Sequence, residues 1–143
     1  MGLSEVSPAR APSARALWFY GALVGTPLDP TAAARQVLEI ETRRVADRLR
    51  DLGEARTGPH LAVLRVTAQN LVDCAMACEQ DGSAPTRPES GWTLPQVDIR
   101  AWADVITVLA HDVLGASGDA SPDQGTAALS RAAEAMTQLR RSL

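Results

Sequence analysis

Lysine is missing altogether from this chain: the fourteen basic residues among its 143 are all Arg. With an abundance of Ala, this points to the codon bias of a high-GC, bacterial genome rather than to phosphate binding. The net charge is −3 and the basic residues are interleaved with acids. There is therefore no basic stripe of the kind that neutralises nucleic-acid phosphates, and no nucleic-acid partner is expected. Aromatic residues make up only 3% of the chain, so the core must be built from Leu, Val, Ile and Ala. Two cysteines are too few for a disulfide framework, which fits a reducing cytoplasm. No uninterrupted apolar run reaches the roughly 18 residues that span a bilayer, so no membrane partner is expected. Residues 16–24 are apolar and follow Arg10 and Arg15, but the small-residue cleavage pattern of a signal peptide is lacking.

What the chain does have is one signal repeated four times, apolar residues three and four positions apart. The seams are Leu38, Thr42, Val45, Leu49, Leu52; Leu61, Leu64, Ala68, Leu71, Ala75, Cys78; Ile99, Trp102, Ile106, Leu109, Val113; and Leu129, Ala132, Met136, Leu139, Leu143. This spacing keeps one side of an α-helix apolar. It predicts an all-α helical bundle with long helices over about 30–52, 59–81, 98–114 and 122–141. A short N-terminal helix is expected over about 13–24, after a flexible arm at 1–12, with 13–143 forming a single domain.

The helix boundaries follow from local chemistry. Asp29 is a capping residue and Pro30 takes the first helical position, where its missing N–H costs nothing. Gly53 is the expected stop of that helix, and its outward face offers Glu39 and Arg43 as a pair four residues apart. Pro59 opens the next helix in the same way, and Gly115 is expected to stop the fourth. Ser121 and Gln124 form a capping box for the fifth, each satisfying a free backbone N–H at the other's position. The helix over 98–114 is apolar almost all round, with one narrow polar line at Arg100, Asp104, Thr107 and His111. It and the helix over 59–81 are expected at the centre of the bundle, and the other two at its periphery. Three connections are short and favour antiparallel neighbours; the long one between Asp81 and Asp98 leaves its crossing open.

No sequence motif marks an enzyme. Phosphate loops, dinucleotide fingerprints, nucleophile elbows and zinc-protease helices are all missing, and no cofactor is expected. Asp104 and His111 stand two turns apart, ~10 Å, too far for an acid–base pair. Cys74 and Cys78, four apart on one helix, have Cβ atoms ~5–6 Å apart where a disulfide wants ~3.5–4.5 Å. They are read as packing residues, with soft-metal chelation as the alternative. The run Asp73, Cys74, Ala75, Met76, Ala77, Cys78, Glu79 resembles the paired-cysteine turns of the four-helix copper-storage proteins. The resemblance covers one helical turn. Those proteins repeat the pair on several helices, whereas the other helices here carry no cysteine. His60 lies ~27 Å from Cys78 along one helix. His111 approaches the cysteines only if the helices over 59–81 and 98–114 run parallel, and approaches His60 if they run antiparallel.

Trp18, Phe19 and Tyr20 are consecutive, so each points ~100° from the last and they cannot all face one bundle. With Trp92, which lies in the long connection, they are the candidate partner-binding residues. The expected function is a non-catalytic interaction or regulatory protein in the cytoplasm, acting through protein contacts and forming a homodimer. The alternative is a bundle that binds a small ligand or metal through an inter-helix pocket or the Cys74/Cys78 pair.

Overall fold

A computed structural model describes residues 29–80 and 94–143 of the chain. Among these residues there is no strand, and the architecture is all-α: α1 (Pro30–Thr57), α2 (Leu61–Glu79), α3 (Trp102–Asp119) and α4 (Pro122–Ser142), with 3-10 turns at Gly58–His60 and Ile99–Ala101. The expected arm at 1–12, the helix over 13–24 with Trp18, Phe19 and Tyr20, and Trp92 all lie outside the described residues.

Most of the predicted seam residues are buried, while Leu52, Leu61, Ala75, Ile99, Leu109 and Leu143 are half-buried. Leu38, Val45, Leu64, Leu71, Trp102, Ile106, Val113, Leu129, Met136 and Leu139 are fully buried in one apolar core. Burying each of these side chains contributes ~1.5–3 kcal/mol against chain entropy. Trp102 lines a groove of about 220 Å³ together with Gly53 and Thr57, and its indole N–H has no hydrogen-bond partner among the described residues.

Gly53 breaks helical geometry as its position predicted, with φ 68° and ψ 177°, a region almost closed to residues with a Cβ. One further turn follows, in which the Thr57 hydroxyl donates to the Gly53 carbonyl at 2.7 Å. Gly115, in contrast, does not stop its helix; α3 continues to Asp119. The extra turn is held from outside, by the Arg35 guanidinium of α1 donating to the Leu114 carbonyl and the Ser117 hydroxyl, each at 3.2 Å. The capping box is half-formed. Ser121 Oγ accepts from the Gln124 N–H at 3.4 Å, while the Gln124 side-chain oxygen is buried without a partner among the described residues.

Side-chain bonds fix the helix directions. Arg35 meets Leu114 and Ser117, Arg50 meets Asp104 at 3.4 Å, and Glu54 meets Arg100, so α1 and α3 run antiparallel. Thr31 meets Thr126, Glu41 meets Arg140 and Arg48 meets the Leu143 carbonyl, so α1 and α4 run parallel. The C-terminal halves of α2 and α3 line one groove, which makes that pair parallel too. The relative direction of these two helices, left open by the sequence, is therefore parallel.

The expected division into central and peripheral helices is corrected on α4. It packs against α2 and α3 and is hydrogen-bonded to α1, because its broad stripe of small residues, Gly125, Ala128, Ala132 and Ala133, lets neighbours approach on both sides. At Gly125 an added Cβ would lie 2.7 Å from the Ser117 carbonyl oxygen. The all-round burial expected for α3 is corrected as well: Val108 is 57% exposed, and Asp112, Gly115 and Asp119 are exposed with it.

Candidate functional site

The two cysteines, predicted to share one face of α2, open onto different surroundings. Cys74 lines a polar groove of about 380 Å³ with Asn70, Asp73 and Arg131, between α2 and α4. Cys78 lines the groove between α2 and α3. Both are buried, and burial pushes both thiols above their ordinary range, with the nearby Arg131 guanidinium opposing the shift. Neutral, buried thiols are poor nucleophiles and poor metal ligands until deprotonated. Among the described residues, no three His, Cys, Asp or Glu side chains gather in a way that could hold a metal ion.

The parallel arrangement of α2 and α3 settles which histidine stands near a cysteine. His111 lines the same groove as Cys78, while His60 sits in the 3-10 turn before α2. His111 also borders a second groove of about 300 Å³, between α1 and α3, with Arg43, Arg50 and Glu39 on its rim. The expected Glu39–Arg43 pair is not formed there. The ion pairs of this part of α1 run from Glu41, which the sequence pattern missed as a buried residue. Its carboxylate accepts from Arg44 at 3.0 Å and from Arg140 at 2.5 Å. Asp104 pairs with Arg50 rather than with any histidine.

The α2–α3 groove, at about 740 Å³, is larger than the α1–α3 groove, the α2–α4 groove and the one at Trp102. Its floor is Leu71, Ala75, Cys78, Leu109 and Ala116, with Val72 and Met76 on one wall. Glu79, Asp112 and Asp119 stand exposed on its rim beside His111. Each of the other three grooves includes at least one Arg, and this one includes none among the described residues. Such a surface can hold an apolar body and attract positive charge. It supplies no activated nucleophile.

One 18-residue window within Pro30–Glu79 reaches a mean hydropathy of 1.2, a length and composition that would suit a membrane-crossing helix. Of that window 44% is buried in the bundle, and on α2 Leu64, Ala68 and Leu71 face the core. No family model, curated protein or solved structure matches this chain.

Proposed function

We propose that the protein is a non-catalytic helical-bundle interaction or regulatory protein, working in the cytoplasm through protein–protein contacts and self-associating as a homodimer. The observation that carries the interaction reading is the open α2–α3 groove, whose apolar floor continues the seams of α2 and α3 to the surface. Contiguous apolar surface rimmed by polar groups is characteristic of contact sites between proteins. Self-association rests on the sequence, which sets three aromatic residues, Trp18, Phe19 and Tyr20, side by side, and aromatic residues dominate interface centres.

Sedimentation at micromolar concentration tests the dimer. The full chain is expected at twice 15.1 kDa, and Trp18→Ala, Phe19→Ala, Tyr20→Ala together are expected to return it to the monomer. A monomeric wild type overturns the dimer.

A second reading is favoured by the size of the same groove, which lies within the ~300–1,000 Å³ range of small-molecule sites. In that reading an apolar ligand occupies it, or a metal is held near Cys74 and Cys78. Native mass spectrometry of protein purified under reducing conditions separates the two. A stoichiometric small ligand, or a metal lost on replacing both cysteines, favours this reading; a dimer free of either favours the first.

A further inference from the structure

Resting on the interaction reading above, we infer that the α2–α3 groove receives a basic amphipathic helix of a partner protein, lying antiparallel to α2 and α3. The groove is lined from Leu71 to Glu79 on one wall and from Leu109 to Asp119 on the other. At ~1.5 Å rise per residue this is a trough ~12–15 Å long, matching two to three turns of helix. An occupying helix inserts apolar side chains at positions i, i+3, i+4 and i+7, the standard way a helix fills a groove. Met76 on the wall supplies a side chain that adapts to the shape of such knobs.

Charge fixes the sign and direction of the occupant. Asp112 and Asp119 are seven residues apart, two turns along α3. Cations at i and i+7 of a partner helix match that spacing. Because α2 and α3 are parallel, their C-terminal ends lie at the same end of the groove, and both dipoles present negative potential there. Neither helix has a basic residue in its last turn. Each instead carries an acid at its end, Glu79 on α2 and Asp119 on α3, the reverse of what a helix end prefers. A partner helix with its positive N-terminal end over Glu79 and Asp119 compensates both. The three grooves that include Arg offer no such one-signed rim.

The test is fluorescence anisotropy of the full chain with a labelled 14-residue peptide, leucines at i, i+3, i+4, i+7 and lysines elsewhere. The expected result is saturable micromolar binding that weakens with salt, at least tenfold poorer for a scrambled peptide, and lost when glutamate replaces lysine. Glu79→Lys with Asp119→Lys is expected to weaken binding at least tenfold without lowering the melting temperature, since both positions are exposed and the new charges suit the helix ends. Glu134→Lys, in the α2–α4 groove, is expected to leave binding unchanged.

Equal binding of the scrambled peptide, or unchanged binding by the Glu79→Lys, Asp119→Lys protein, overturns the inference. So does competition by a free alkylamine at the peptide's own affinity, which makes the occupant a small molecule. Binding that emerges only when residues 1–28 are removed also overturns it. A wild type that ignores all these peptides yet sediments as a dimer removes this inference and leaves the interaction reading standing.

Discussion

Glu41 on α1 and Arg140 on α4 are joined across 99 residues of sequence by a 2.5 Å hydrogen bond from the guanidinium Nε–H to the carboxylate. Arg44 donates to the other carboxylate oxygen at 3.0 Å. The Glu41 side chain is 8% exposed and that of Arg140 is 37% exposed, so water screens the pair from one side only. Glu41→Ala is expected to cost ~1–3 kcal/mol, the range for losing a charged hydrogen bond at a largely buried group. A double-mutant cycle with Arg140→Ala, followed by urea denaturation, is expected to give a coupling above ~0.5 kcal/mol. Simple additivity of the two changes would show that the clamp contributes nothing.

Two glycines separate close approach from helix propensity. Gly125→Ala drives a Cβ into the Ser117 carbonyl, so α3 and α4 must part, at a cost of ~1–3 kcal/mol. At Gly115, inside α3, a Cβ meets no described atom within 4 Å. Gly115→Ala is therefore expected to stabilise by ~0.5–1 kcal/mol. Opposite shifts in the denaturation midpoint check both, and a shift in the same direction at the two sites contradicts the geometry.

Ile106 is fully buried on α3. Ile106→Asp places an unpaired carboxylate in the core, at a cost of several kcal/mol, comparable to a typical domain's ~5–15 kcal/mol stability. The variant is expected not to fold. A cooperative melt by circular dichroism would remove α3 from the centre of the bundle.

The cysteines predict a pH response. Their folded pKa values are raised above an ordinary value of 9.0, chiefly by burial. The folded state thus keeps its thiol protons where the unfolded chain releases them. Stability from this source is full below about pH 9 and is lost as pH rises through the folded values. Denaturation between pH 7.5 and 10.5 is expected to show a decline that flattens in Cys74→Ser with Cys78→Ala. At pH 8, thiol labelling of the native protein is expected to be slow and to accelerate in urea.

The helices and most of their limits are legible in the sequence because they depend on neighbours three and four residues away. Gly53 is an example: its break needs only its own missing side chain. Gly115 carries the same local signal and fails as a stop, because Arg35, 79 residues from Leu114, anchors the turn beyond it. Glu41 looks like a solvated residue beside the seam until Arg140 is placed opposite. The candidate groove is invisible for a similar reason. Glu79, Asp112 and Asp119 are ordinary surface acids one by one. Only the parallel crossing of α2 and α3, which no residue in either helix specifies, brings them to one rim.

The parallel clamp between α1 and α4 also sets an order of assembly. Forming the α3–α4 hairpin closes a short loop, whereas the contacts from α1 to α4 close loops of 95 to 99 residues. On a logarithmic loop-entropy scale that difference costs about 2 kcal/mol before the α1–α4 contacts form. The α3–α4 hairpin is thus the natural nucleus and α1 the last helix to dock. The same helix is then the first to peel away, in openings short of global unfolding that uncover Leu38, Val45 and Leu49 together. Backbone amides of α1 should exchange with deuterated solvent ahead of those in α3, so the bundle breathes along one seam instead of loosening evenly.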